Sequence, residues 1–526
     1  MAQTLPWYKY WPNKIPQSIS YPDIPVFGML SSSTVRNPNG IAVLDNGRQY
    51  TYKDVDTFSN SLAMHLIDIG IKKNDRVVIY LRNSIEYIVS YYGILKAGAI
   101  VVPVSPLSKE IELAYQLDDS GTHTIIFLES LWPVVERVQA YSKIRNLIST
   151  GENRRTQTHL LKEILMNRTT DVPKIPINPK DDVAVLQYTG GTTGIPKGAM
   201  LTHRNLVCNA MMNAIWFSWT REDRVIGVTP FYHTWGPTVC INSPLYAGAS
   251  IYIMRHFDPE EVLEAIEKYR ITIFYGVTSL WKLLMEAPSF MKHDVSSLRY
   301  VKAGGMPVLK EIKEEWEKRT RVPLIPGYGL TEASPETHNN PIHRVKVGSI
   351  GIPIMDTLAR IVDSETGEEV LPPGEEGELV VKGPQVMKGY WQREEESNDT
   401  IRKGWLYTGD VVRMDEDGYF YFVERKKDMI KYKGYGVFPS EVEDILRLHY
   451  AVDECSVVGR PDPIHGEIPL AFIVLRPGQQ TTEKEIIEFC RDRIAPYKRI
   501  REVRFIKELP RSAVGKIQKR RLLEEM

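Results

Sequence analysis

Residues 188–198 read Tyr-Thr-Gly-Gly-Thr-Thr-Gly-Ile-Pro-Lys-Gly. Closely spaced glycines let a backbone turn its N–H groups inward with no Cβ in the way. Threonine hydroxyls add donors, and Lys197 adds a mobile positive charge. This is the equipment for holding a polyphosphate, and it makes Thr189, Gly190, Gly191, Thr192, Thr193, Gly194 and Lys197 candidate phosphate contacts. The plainer alternative is a Gly/Thr-rich surface loop. A Walker A loop requires Gly-Lys followed by Ser or Thr. Here Lys197 stands between Pro196 and Gly198, so γ-phosphoryl transfer is not the expected reaction.

The loop needs a rigid mount. The apolar run 183–186 predicts a buried strand leading into it, and apolar spacing after Thr202 predicts a helix leading out. A strand–loop–helix connection is therefore expected. The same alternation recurs along the chain. Helices are expected over 55–66 and 87–97. Strands are expected over 76–81, 100–104, 124–128, 225–228, 271–277, 300–303 and 322–325. Asp258-Pro259-Glu260-Glu261 marks a helix start. Repeated βα units imply parallel sheets faced by helices, and ligands of such sheets lie beyond the carboxyl ends of strands. The strand 225–228 is followed by Phe-Tyr-His-Thr-Trp-Gly, which contains His233. Two turns occupy such ends: Gly304-Gly305 and Gly327-Tyr328-Gly329, the latter followed by Leu330-Thr331-Glu332. They are expected to converge with the phosphate loop. From about 357 to 424, strands between Gly and Pro turns predict a distorted β-barrel. A compact α+β segment then closes the chain. The fold class is α/β, with a large N-terminal part and a small C-terminal one.

Two later stretches add candidates. Trp405-Leu406-Tyr407-Thr408-Gly409-Asp410 ends in a carboxylate able to accept both hydroxyls of a ribose. The run from Arg425 through Lys427, Lys431 and Gly434 to Glu441 is basic and glycine-containing, and Gly515-Lys516 lies near the end of the chain. Each of these alone would pass for an ordinary turn or a solvated charged face.

In this order and spacing, the stretches resemble those of the adenylate-forming enzymes: acyl-CoA synthetases, aryl-CoA ligases, luciferases and the adenylation domains of peptide synthetases. The likeness runs from about residue 52 to the end. Met306, where alanine is commoner, is a minor departure. The resemblance implies ATP, Mg²⁺ and coenzyme A as ligands. Tyr328 would stack on adenine within the glycines at 304, 305, 327 and 329, with Thr331 beside it. Glu332, with Thr189 or Thr192, would meet the metal. Asp410 and Arg425 would hold the ribose, and His233 would border the acyl pocket. Lys516 would be the adenylation lysine. Lys427 would be the hinge between an N-terminal domain, 1–426, and a mobile C-terminal domain, 427–526. Rotation would bring the segment from Lys431 to Gly434 into the site for thioester formation, with Gly434 letting the pantetheine arm pass.

Composition agrees with a soluble enzyme. The chain has 526 residues, 43% hydrophobic and 25% charged, too many for one core. Basic and acidic residues balance at 66 each, which does not recommend nucleic acid as a partner. Four scattered cysteines, Cys208, Cys240, Cys455 and Cys490, have no metal or redox spacing and read as buried thiols in a reducing cytoplasm. The start of the chain is not a signal peptide, and residues 87–104, broken by Lys96 and Gly98, read as a buried helix and strand rather than a membrane span. Residues 1–50 look irregular. Their aromatic cluster, Trp7, Tyr8, Tyr10 and Trp11, is expected to pack on its own domain, with weak peripheral membrane contact as the alternative; a homodimer is left open.

The implied reaction joins a carboxylic acid to AMP and then to coenzyme A. The opening of the chain is similar to that of medium- and long-chain fatty acyl-CoA synthetases, so such an acid is expected. Short hydroxy acids, aryl acids such as coumarate, and loading of a separate carrier protein are the alternatives. With ten residues after Lys516, an attached carrier domain is not expected.

Overall fold

The structure is a computed structural model, and it describes residues 5–152, 155, 158–189, 196–432, 435–491, 493–512 and 517–524. Its chain divides into two compact units: Met1–Ala359 with Val381–Leu406, and Arg360–Val380 with Tyr407–Met526. This packing division precedes Lys427, which lies in the 3-10 turn Lys426–Asp428 inside the second unit.

Two sheets build the first unit. One has seven strands in the order Thr158–Leu160, Asn146–Ser149, Thr124–Phe127, Arg76–Tyr80, Ile100–Pro103, Val183–Thr189 and Lys197–Thr202. All its pairings are parallel except the last. Its strands are buried on both faces, as the near-continuous Val/Ile runs require. The other has nine strands, in which Arg224–Gly227, Ser250–Ile253, Ile273–Gly276, Tyr300–Ala303 and Leu324–Gly329 form the parallel middle. Helices cover these faces; Trp281 and Trp316, from two of them, are fully buried against the nine-stranded sheet.

Two expectations need correction. The phosphate loop does not lead straight into a helix. It joins an antiparallel hairpin, with Thr189 opposite Lys197 and Tyr188 opposite Gly198. The helix His203–Trp216 begins only after the second strand, at a capping box in which Thr202 and Asn205 bond each other's backbone N–H. Residues 1–50 are also not irregular. They hold the helix Phe27–Arg36 and the hairpin Ile41–Asp45/Arg48–Thr51, whose strand Ile41–Asp45 pairs in parallel with Ser250–Ile253. The hairpin turns at Asn46-Gly47, both with positive φ (49° and 74°), as a tight two-residue connection demands. The aromatic cluster packs as expected: Trp7 is buried, and Trp11 meets Trp216 edge-on at 5.1 Å.

The section expected as a barrel is a five-stranded sheet, Leu358–Val362, Glu376–Lys382, Trp405–Met414 and Ile401–Arg402 in order, with Phe420–Arg425 paired to Trp405–Met414. The second unit contains an α+β layer in which Val452–Asp462, Gly466–Leu475 and Glu502–Phe505 carry the helices Pro439–Arg447 and Glu483–Arg491. The four cysteines are all free and buried. No helix among the described residues is long and apolar enough to cross a membrane.

The first residue of the helix His203–Trp216 predicts an acid weakness. His203 Nδ1 accepts the Val26 N–H at 3.1 Å, so it must be unprotonated. Burial depresses its pKa from 6.5 to about 4. Between those values the unfolded chain binds the proton and the folded one does not, so stability falls as pH drops through the window. The loss from this residue should reach about 2 kcal/mol at pH 5. Urea unfolding at pH 7 and pH 5 should show that loss shrink in His203→Asn, which keeps an acceptor without the titration.

Candidate active site

Hydrogen bonds link three of the candidate segments of the first unit: the Thr189 strand, the His233 turn and the segment carrying Glu332. Thr189 ends the strand Val183–Thr189 and faces Lys197 across the hairpin. The rest of the phosphate loop, from Gly190 through Gly191, Thr192 and Thr193 to Gly194, lies outside the described residues. Its two supports are fixed. Tyr188 Oη donates to Asp119 at 2.7 Å, Tyr115 Oη donates to the Pro196 carbonyl at 2.7 Å, and the Trp391 N–H donates to the Gly198 carbonyl at 2.8 Å. Lys197 Nζ sits 3.4 Å from Glu396 and 5.5 Å from the centroid of the Tyr390 ring.

Gln187, on the same strand, donates to the Tyr232 carbonyl at 3.0 Å and so pins the His233 turn. Within that turn His233 Nδ1 accepts from the Trp235 N–H at 3.4 Å. Its next residue, Thr234, bonds Thr331 at 3.3 Å and pins the segment carrying Glu332. Glu332 in turn accepts from Tyr390 Oη at 2.8 Å, and its carbonyl accepts from the Met387 N–H at 2.8 Å. Burial and the neighbouring Glu332 charge hold the Tyr390 phenol far above its ordinary pKa, so it stays a donor. The glycines stand where neighbouring groups approach closely. A Cβ on Gly304 would stand 3.1 Å from the Trp235 ring, and one on Gly329 would stand 2.3 Å from the Pro335 carbonyl oxygen. Gly305 continues this turn with φ +74°, and Tyr328 meets His338 edge-on at 5.9 Å.

The second unit holds its own candidates. Asp410 and Arg425 lie opposite each other on paired strands, with Arg425 Nε 3.4 Å from Asp410. Lys431 is exposed on the short strand Ile430–Tyr432, its backbone N–H bonded to Glu467 at 2.7 Å. Gly434 and Lys516 lie outside the described residues.

The model of the family described as AMP-binding enzyme matches residues 30–391, and the model of its C-terminal domain matches residues 441–516. The chain belongs to the AMP-binding enzymes. Among its relatives, the long-chain-fatty-acid–CoA ligase of Bacillus subtilis (strain 168) is 40% identical, with 100% of this chain and 99% of the other aligned. ATP-bound MatB from Rhodopseudomonas palustris superposes with a TM-score of 0.88 at 28% identity, over 95% of this chain and 99% of that one. The anthranilate CoA ligase AuaEII, solved with anthranoyl-AMP, gives 0.86 at 29% identity over 96% and 97%.

In this AMP-binding enzyme a magnesium ion would look to oxygen donors. Among the described residues there is no group of three or more His, Cys, Asp or Glu that could hold a metal. Thr189 and Glu332 are half-buried oxygen donors, and only one Glu332 oxygen is given to Tyr390. A hard ion that takes one or two protein oxygens and fills its shell with water and phosphate fits such a site.

Sequence reasoning missed Tyr390, Thr234 and Trp235 as members of the site. Each lies one to three residues from a glycine in an aromatic-rich turn, but nothing local says which carboxylate or hydroxyl it meets. Tyr390→Phe removes a hydrogen bond to a charged group, worth on the order of 1.5 kcal/mol. It should raise the KM for ATP about tenfold in steady-state assays, with the KM for the acid little changed.

Proposed function

We propose that this AMP-binding enzyme is an acyl-CoA synthetase acting on medium- or long-chain fatty acids. The observation that carries the reading is the hydrogen-bonded convergence of the Thr189 strand, the His233 turn and Glu332, in a chain that aligns end to end with a fatty-acid–CoA ligase. A carboxylate is a poor acyl donor because oxide would have to leave. In the first half-reaction its oxygen attacks the α-phosphorus of ATP, the bond to the β-phosphate oxygen breaks, and pyrophosphate departs. In the second, the sulfur of coenzyme A attacks the acyl carbon, the bond to AMP breaks, and the thiol proton passes to solvent.

The protein then needs no covalent nucleophile, only positioning and charge neutralisation. The phosphate loop and Lys197 hold the phosphates. Tyr328 lies on the adenine, Asp410 and Arg425 take the ribose, and Thr189 and Glu332 would hold Mg²⁺, which would supply positive charge to the phosphates. His233 orients the acid. Lys516 eases the approach of the two anions. The two half-reactions need different groups, so the C-terminal domain turns about Lys427 and exchanges Lys516 for Lys431 and Gly434. The reaction uses cytoplasmic ATP and coenzyme A.

A panel of carboxylic acids, assayed for coenzyme A-dependent AMP and pyrophosphate, tests the reading. AMP formed only with a fatty acid and coenzyme A is the expected result. Formation of ADP, or transfer to a carrier protein but never to coenzyme A, would overturn it.

A further inference from the structure

A buried ion pair lies beneath this site, and no step of the reaction uses it. Lys302, on the strand Tyr300–Ala303, and Glu336, on the strand Glu336–Asn339, form a contact in which the two side chains are 2% and 3% exposed. Two charges withdrawn from water carry a desolvation penalty that their attraction does not reliably repay, and apolar residues of the same volume often pack as well. The pair therefore invites a reason other than stability.

Its contacts supply one. Glu336 accepts from Trp235 Nε1 at 3.2 Å and from Asn339 Nδ2 at 3.3 Å. Trp235 belongs to the His233 turn, and its ring would stand 3.1 Å from a Cβ on Gly304. Lys302 precedes Gly304 by two residues, and its Cε would stand 2.8 Å from a Cβ on Gly327. Behind the indole, Lys302 Nζ lies 5.2 Å and 5.4 Å from the Phe217 and Tyr275 ring centroids, and Tyr275 meets Trp235 edge-on. So the pair bonds the Trp235 ring of the His233 turn directly, and Lys302 lies on the strand that leads into Gly304 and beside Gly327.

We infer that Lys302 and Glu336 are positioning residues that hold the Trp235 indole against Gly304 and thereby set how long an acyl chain the site accepts. The inference rests on the acyl-CoA synthetase reading, which places the acid beside His233. With the indole held, a chain entering past His233 ends at a ring backed by two fixed charges. An alkyl chain that displaced the ring would strip the indole N–H and Glu336 of each other. The limit is thus polar as well as steric.

The test compares butyrate, octanoate and hexadecanoate as substrates of the full-length protein. In Lys302→Met/Glu336→Leu both charges become apolar groups of similar volume. The ratio of kcat/KM for hexadecanoate to that for butyrate should rise about tenfold or more. Trp235→Phe, which keeps the ion pair and loses only the indole N–H and part of the ring, should move the ratio the same way. It should add little in the triple variant, because one linkage has been cut twice. A merely structural role would lower the melting temperature and leave the ratio alone. Unchanged ratios within about twofold in a folded double variant would overturn the inference; if that variant does not fold, the same result in Trp235→Phe overturns it. Failure of the unaltered enzyme to form acyl-CoA from any acid would instead reject the parent reading.

Discussion

Lys516→Ala is expected to lose adenylate formation by a factor on the order of 10² to 10³ while still making thioester from supplied acyl-AMP. The physical reason is confined to one half-reaction. Two anions, the carboxylate and the α-phosphate, must approach to bonding distance, and a cation between them lowers that repulsion. Once the acyl adenylate exists, the acid carries no charge and no repulsion between two approaching anions is left for the lysine to relieve. Lys431→Ala should show the reverse pattern, because its strand, exposed on the second unit, serves the thiol step in the proposed exchange. ATP–pyrophosphate exchange reads the first step, and acyl-CoA release from synthetic acyl-AMP reads the second. Equal loss of both steps in both variants would reject a turning domain and leave a single fixed site.

The fold was legible wherever a short apolar run met a glycine. The strand Tyr300–Ala303 was bounded correctly from its Val-Lys-Ala-Gly-Gly pattern alone. The helix Pro259–Tyr269 starts at the aspartate that was read as its cap, which accepts the Glu261 N–H. The strand Lys197–Thr202 was missed because Gly198 and Ala199 are weak strand formers and the following capping box drew the helix start. Its pairing with Val183–Thr189 supplies what local propensity did not. Asn46-Gly47, between the apolar run 41–44 and Arg48–Thr51, is a local hairpin signal.

The site was legible in its glycines and charges but not in its connections. Tyr390 reaches Glu332 across 58 residues and Lys302 reaches Glu336 across 34. No periodicity links such positions; only strand order does, and strand order follows from the whole sheet. Lys302 is the sharper case. A lysine inside a strand reads as a solvated position, yet here both neighbouring strands and a layer of aromatic rings enclose it.

That enclosure makes the single substitutions of the pair strongly unequal. Glu336→Leu should destabilise the folded protein by about 3–5 kcal/mol at pH 7, because the ammonium of Lys302 stays buried with its carboxylate gone. The Phe217 and Tyr275 rings offset part of that through cation–π attraction. Lys302→Met should be milder, since Glu336 keeps the Trp235 and Asn339 donors. The sign with pH then identifies the cause. Burial lowers the Lys302 pKa below its ordinary 10.5, and Glu336 opposes that shift. Without Glu336 the depression deepens, so the unfolded chain holds a proton that the folded chain sheds. Stability of Glu336→Leu should therefore climb as pH rises toward about 10.5, where a neutral lysine sits in the core at little penalty. Lys302→Met has no such group and should not climb. Denaturant midpoints at pH 7 and pH 9.5 separate the two, and a Glu336→Leu protein whose midpoint is flat between them would mean that its loss is one of packing volume and not of charge.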